Sequence, residues 1–579
     1  MKKTSDNTGN VGICKINIVA WAVVLILAIG LSFWASSEKI AKTYSWEGES
    51  VEISSLCGDP IMMDNVDFDA ATGRFSPLNE DPWIMYSGAN DQYTGVLISV
   101  QAPFDSDVET TLYWSAVGDD FLLESRKLFS RFTKGQRTCF MELPDYPVNI
   151  VRVDIDHECV IESISLSKAK VIEKNIFDSR FMLNFVIKFT LIFITLAVAY
   201  LAHRERVSKG GAPLRDIFID PVKEGKKHLY EYDYIRTLAA ILVIMMHTVG
   251  ETYAPKVGMG EPGYFILKLV LALSLVCNVL YIMLSGALLL QPKEESIGEF
   301  YKNRLGRVLI PTISYFLLYM IQGYSSEVFK DGFWPGMAFI GKGLLTGRPD
   351  YMPHMWFIYA ILGVYILAPF FRIMIKHITE GQLFGLILTG FILNIFSSYL
   401  PIFKIDFGIE TPITGWIGVF LLGYYMTTEH AKNKYWWFMI LGVLATVGTC
   451  VMVYFLPQYL YYESNWTPLM WLEGAGIFSF FFCFRSVFGK KNVVVASFAK
   501  YNFSIMLVHV LFLMKVVCPI GWQYESEHGH LRWCILGMIV VTFIMSYLFS
   551  ILYDQTAIAA ANYVYGKIVG KKKKEIREC

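Results

Sequence analysis

The strongest constraint in this chain is a succession of apolar runs, each close to the thickness of a bilayer. Residues 18–35 hold no charge. Eleven more apolar runs follow, at 181–201, 229–250, 264–290, 308–324, 355–371, 383–400, 412–426, 436–456, 467–484, 503–519 and 533–553. At 1.5 Å per residue, about 20 residues cross ~30 Å of hydrocarbon. Inside that layer the backbone must satisfy its own hydrogen bonds, so runs of this kind span as helices. Hydrophobic residues make up 54% and charged residues 18% of 579, well below the quarter charged that is usual for soluble domains. Lys plus Arg and Asp plus Glu balance at 51 each, so no bulk field draws the chain to nucleic acid. The class is a polytopic α-helical membrane protein.

Residues 36–180 interrupt this pattern. Charges, Gly and Pro return, and short alternating runs at 94–100, 108–115 and 149–155 read as half-buried strands between turns. A single β-sandwich is expected there, bracketed by an anchor at 16–35 and a second helix at 181–201. A cleaved signal peptide is the alternative, but the first run is longer than such a peptide's apolar stretch and ends Phe33–Trp34–Ala35, so it reads as a retained anchor. Lys and Arg number 28 in loops on the N-terminal side of the spans but 6 in the short loops opposite. The positive-inside rule then puts residues 1–15, the 202–228 linker and the basic 554–579 tail in the cytoplasm, and the β-domain outside.

Among the cysteines, Cys139–Cys159 is the preferred pair in the external domain, Cys518 and Cys534 are placed to pair across the last external loop, and Cys277, Cys450 and Cys483 read as apolar fillers. Glu525, Glu527, His528 and His530 read as a polar loop rather than a metal site. Trp83, Tyr113 and Trp114 are of the type that stacks on sugars, but a sandwich core uses aromatics in the same way.

Ionisable residues inside spans are costly and mark function. Arg236 and His247 are eleven residues apart, which on a helix leaves them ~20° apart in azimuth and ~16 Å apart in height. Arg304 and Arg307 share one helical face at the membrane surface and suit phosphate groups. Ser285–Gly286 lies deep in a span, and His354 and Trp356 open another. Glu473, His509 and Lys515 are further polar groups at membrane depth.

These segments together resemble the acyltransferase-3 family of integral membrane acyltransferases, in its surface-polysaccharide O-acetyltransferase branch. Arg236 and His247 match the family's Arg–ten residues–His pattern, after Tyr232–Asp233–Tyr234. Leu284–Ser285–Gly286, Arg304 with Arg307 and Pro311, His354–Met355–Trp356–Phe357 with Tyr365 and Pro369, and Tyr501, Ser504 and His509 follow in the family's order. The resemblance covers 229–553 and implies a ten-helix acyltransferase core, to which the first two spans and the β-domain are additions. It implies no bound cofactor, with acetyl-CoA or another acyl-CoA as donor substrate. The implied acceptor is a hydroxyl of a cell-surface or lipid-linked glycan, met in the plasma membrane among lipids.

In that scheme His247 and Arg236 are catalytic and Arg304 and Arg307 bind the donor. Ser285, His354, Trp356, Glu473 and His509 are expected to line the site. The competing class is a transporter or flippase for a polar lipid or glycan, which also uses intramembrane charges. Such folds carry inverted repeats, and this sequence has none.

Overall fold

The computed structural model describes residues 20–33, 41–45, 50–78, 82–106, 108–116, 127–132, 134–143, 147–168, 170–174, 179–208, 213–219, 228–256, 262–323, 328, 332–347, 352, 354–405, 412–455, 467–521, 524 and 531–567. The expected polar cluster at 525–530 and the lysine run at 571–574 lie outside them.

Among the described residues the first unit holds thirteen strands. Strands β2 (Ser50–Glu52), β4 (Val66–Asp69), β5 (Arg74–Pro77), β7 (Gly95–Val100), β10 (Thr138–Glu142) and β12 (Cys159–Ser167) make a six-stranded sheet in the order β10-β7-β12-β5-β4, with β2 also paired to β12. Strands β3 (Met62–Asp64), β6 (Trp83–Gln92), β8 (Val108–Ala116), β9 (Lys127–Phe132) and β11 (Pro147–Ile155) make the second sheet, ordered β3-β6-β11-β8-β9. A separate antiparallel pair joins β1 (Ala41–Ser45) to β13 (Lys170–Lys174), bringing the two ends of the domain together. Alternation decides which face is buried. Val151, Val153 and Ile155 point into the core at 0% exposure, while Arg152 points out.

The expected β-sandwich is present. Trp114 is a core residue. Trp83 and Tyr113 do not offer open rings, because the Arg152 guanidinium lies 4.7 Å from the centroid of each, held by a two-pronged bond to Asp154 at 2.8 and 2.7 Å.

The preferred Cys139–Cys159 disulfide does not form. Cys139 pairs with Ile98 on β7, and Ile98 pairs on its other side with Ile164 of β12. Cys159 is therefore two strand spacings away and five residues along, roughly 10 Å by 17 Å, beyond the ~7 Å Cα limit for a bridge. Burial pushes the Cys139 thiol up, and Cys159 up to about 12, so neither is a ready thiolate.

The second unit, 195–250 and 260–579, is helical, and the first unit also holds the helix Ala20–Phe33 and the start of Phe185–Ser208. Nine helices among the described residues are long and apolar enough to cross a membrane, and three more are apolar but shorter. In chain order they are α1 (Ala20–Phe33), α2 (Phe185–Ser208), α3 (Tyr230–Gly250), α4 (Phe265–Leu289), α5 (Ile297–Ile321), α6 (Met355–His377), α7 (Glu380–Tyr399), α8 (Trp416–Tyr425), α9 (Tyr435–Phe455), α10 (Pro468–Cys483), α11 (Val493–Gly521) and α12 (Arg532–Lys567). Each matches one expected run. A further helix, Phe333–Thr346, lies between α5 and α6.

Helix starts follow local chemistry. Ser296 and Glu299 form a capping box at α5, as Thr379 and Gln382 do at α7, each satisfying two otherwise orphaned amides. The bundle core runs through Tyr281, Met283, Tyr315, Tyr319, Phe420 and Trp471. In lipid, close packing replaces hydrophobic collapse as the force between helices, so small residues set how near they come. A Cβ on Gly286 would lie 1.8 Å from the Phe420 carbonyl oxygen, and one on Gly423 would lie 2.0 Å from the Met283 oxygen. The two glycines seat α4 against α8 reciprocally. By contrast, a Cβ on Gly363 of α6 would meet nothing within 4 Å.

Gly286→Val should force α4 and α8 apart and destabilise the protein by at least ~1–3 kcal/mol. Gly363→Val should be near neutral. The comparison is melting of the two variants in detergent, followed by size-exclusion chromatography. Equal melting points would show that the α4–α8 contact yields cheaply.

Candidate active site

Three histidines from three helices meet in the helical unit. Their ring centroids are 4.9 Å apart for His247 and His509, 5.4 Å for His354 and His509, and 6.1 Å for His247 and His354. His354 is 7% exposed and His509 0%, whereas His247 is only partly buried. Carbonyl oxygens only accept, and this fixes the protons. His509 Nδ1–H donates to the Met506 oxygen at 2.8 Å, leaving Nε2 as a lone pair. His247 Nδ1–H donates to the Val243 oxygen at 2.9 Å and also lies 3.1 Å from His509 Nε2. In its neutral form His247 therefore carries its free lone pair on Nε2. His354 Nε2–H donates to the Leu507 oxygen at 3.1 Å.

The Tyr319 hydroxyl meets the same turn of α11: it accepts from the Leu511 amide at 2.8 Å and donates to the Leu507 oxygen at 3.1 Å. A π-helical turn follows at Leu513–Val517, and another holds Tyr319 at Tyr319–Gly323. Tyr319 and His354 thus share one carbonyl two residues before His509.

The other end of the site is cationic. Arg304, Arg236 and Arg307 all lie within electrostatic range of the Tyr365 hydroxyl, which stands beside Ser285. Arg236 Nη1 donates to Asp233 Oδ1 at 3.0 Å, and His228 Nε2 lies 2.6 Å from the other Asp233 oxygen. Asp233, 3% exposed, aims Arg236. Arg372 and Arg304 stand against the Phe300 ring at 4.8 and 6.0 Å, and Arg372 also bonds Glu295 at 3.3 Å. Arg304 Nε is buried without a hydrogen-bond partner among the described residues, as are Tyr281 Oη and His354 Nδ1.

Two antiparallel helices measure the distance between the ends. On α3, Arg236 precedes His247 by eleven residues. His354, at the start of α6, precedes Tyr365 by eleven. Each interval is ~16 Å of helix, so one pair runs from arginines to histidines and the other returns.

Of the residues expected from sequence, His247, His354 and His509 are brought together at one end, and Arg236, Arg304, Arg307 and Ser285 at the other. Trp356 packs in an aromatic group with Phe357 and Trp416, and no contact brings it to the histidines among the described residues. Glu473 joins neither end. It accepts from Thr449 at 2.6 Å and opens on an apolar groove of about 420 Å³ lined by Leu238, Leu242 and Phe481. Leu242 lies five residues from His247, ~140° around α3, so the groove faces away from the histidines.

Tyr501 and Ser504 are fastenings. Tyr501 donates to the Ile217 oxygen at 2.6 Å, and Ser504 donates to Asp554 Oδ2 at 2.7 Å. Asp554, which also accepts from Tyr315 at 3.1 Å, was missed in the sequence. Its signal was an acid inside a helix that continues to Lys567.

The family model described as an acyltransferase domain, acyltransferase-3, matches residues 229–552, just over half of the chain. The match contains both ends of the site. No curated protein matches the chain in sequence.

Tyr319→Phe should remove the hydroxyl's bonds to the Leu507 oxygen and the Leu511 amide, at a cost of ~1–3 kcal/mol. Thermal unfolding in detergent measures it. An unchanged melting point would mean that the Leu511 amide is satisfied within its own helix.

Proposed function

The chain belongs to this acyltransferase family of membrane proteins, and we propose that it moves an acetyl group from acetyl-CoA to a hydroxyl of a cell-surface or lipid-linked glycan. The carrying observation is that His247, the partly exposed member of the histidine group, has its Nδ1 proton committed and its Nε2 lone pair free. The positive-inside asymmetry puts the arginine end at the cytoplasmic face of the plasma membrane, where acyl-CoA is found, and the histidine end toward the outside, where a glycan waits.

At the arginine end, Arg304 and Arg307 receive the donor's phosphates and Arg236 steers the chain that follows. Guanidiniums suit this task because their planar donors match phosphate oxygens. The unpartnered Arg304 Nε, Tyr281 Oη and His354 Nδ1 offer polar contacts to an extended amide-bearing arm between the two ends. Ser285 and Tyr365 line its entry.

At the histidine end, His247 Nε2 takes the acceptor hydroxyl's proton as the oxygen attacks the thioester carbonyl carbon. The C–S bond breaks, the CoA sulfur leaves and takes up that proton, and an ester and free CoA result. A histidine suits this exchange because its basicity lies near neutrality. The imidazolium formed on the way is held at Nδ1–H by two acceptors, the Val243 oxygen and His509 Nε2. His509 is a positioning residue: it fixes the tautomer and the ring. His354 closes the third side.

His247→Gln and His247→Ala should both lose O-acetylation, by roughly 10²–10⁴-fold, measured as glycan O-acetyl content at matched amounts of membrane protein. Near-normal acetylation by the Gln variant would make His247 a packing residue.

Arg304→Ala and Arg307→Ala should each weaken donor use by ~1.5–3 kcal/mol, seen as a raised KM for acetyl-CoA, with lysine rescuing only in part. Alanine variants with unchanged KM would reduce these arginines to membrane anchors.

A further inference from the structure

The β-domain contains a cavity of about 320 Å³ where the Ile53–Cys57 helix meets β6 and β12. That is the lower end of the range of small-molecule sites, roughly 300–1,000 Å³. Its rim carries Glu52, Asp59, Gln101 and Glu162, all exposed, and the Phe68 ring forms part of the wall. No basic residue lines it among the described residues.

Tyr86 distinguishes this cavity from an ordinary acidic surface. It is 5% exposed, lines the cavity, and its hydroxyl has no hydrogen-bond partner among the described residues. Burial, followed by the charges of Asp59 and Glu52, pushes that hydroxyl up to about 12, so it keeps its proton at physiological pH. The hydroxyl is open to the cavity rather than sealed in the core, where a ligand oxygen can accept its proton.

The rim suits a polyol better than a cation. Among the described residues no three Asp, Glu, His or Cys side chains converge as metal ligands would. Dispersed carboxylates and an amide beside an aromatic wall offer many acceptors around one apolar face. Ring hydroxyls and an apolar sugar face fit that arrangement. Anionic sugars are repelled, since three carboxylates stand on the rim without a compensating base.

We propose that this pocket binds a non-anionic saccharide unit of the glycan acceptor, held by Glu52, Asp59, Gln101 and Glu162 at the rim and by the Tyr86 hydroxyl within. The acceptor's identity as a glycan rests on the function proposed above; binding in the pocket is measured without the donor and stands or falls separately.

The test is saturation-transfer NMR and calorimetry on the full-length protein in lipid nanodiscs. The probes are tetramers of a neutral hexose, of N-acetylhexosamine and of a hexuronate, together with a trilysine peptide. At least one uncharged tetramer should bind, and the hexuronate and peptide should not. Tyr86→Phe should weaken that binding roughly 3- to 10-fold, and Glu162→Gln roughly tenfold or more. Tyr113→Ala, on the outer face of the other sheet, should leave it unchanged. His247→Gln should bind the tetramer normally while failing to acetylate, which separates the pocket from the catalytic reading. Absence of binding by both uncharged tetramers, equal binding by the Tyr86 and Glu162 variants, or a preference for hexuronate or trilysine would overturn the assignment.

Discussion

A carbonyl in the interior of a membrane helix ordinarily accepts one amide, four residues on, because no water is present to offer anything else. The Leu507 oxygen accepts from two side chains, Tyr319 and His354, and the Tyr319 hydroxyl in turn accepts from the Leu511 amide. These bonds join α5, α6 and α11 at one point. His509, two residues further on, is thereby oriented toward His247. Tyr319 thereby ties α5 to the turn that carries His509, beside the bond from His354 to the same carbonyl.

The rest of the bundle serves that arrangement. Gly286 and Gly423 let α4 lie directly against α8, so Ser285 can face Tyr365 and the arginines. Asp554 of α12 accepts from Ser504 of α11 and Tyr315 of α5, and Tyr501 ties α11 to Ile217. Arg236 is aimed by a buried aspartate that His228 also grips. A cationic end and an imidazole end therefore stand a fixed eleven residues apart on two antiparallel helices, an arrangement suited to a ligand with phosphates at one end and a reactive group at the other.

The sequence made some of this legible for plain reasons. Twelve apolar helices were readable among the described residues, nine of them because hydrocarbon thickness sets their length, and β7, β8 and β11 because one face of each is apolar. Arg236 and His247 were readable as a stripe because helical periodicity relates residues on one helix. What lies between helices was not. Nothing in the spacing of His354 or His509 says that their rings stand about 5 Å apart, and nothing in Glu473 says that it faces the opposite side of α3. Cys139 and Cys159 looked like partners by position, but strand order, invisible in the sequence, puts them on strands separated by β7. Asp554 was hidden because the apolar run ends at Tyr553 although the helix does not.

The central claim is that one ligand spans from the arginine end to the histidine end. Electron cryo-microscopy of the protein in nanodiscs with a thioether analogue of acetyl-CoA tests it most directly. The account predicts phosphate density against Arg304 and Arg307, with the arm following the Arg236–His247 stripe and the thioether within reach of His247 Nε2. Density for the analogue in the Glu473 groove, or phosphates bound away from both arginines, would contradict it.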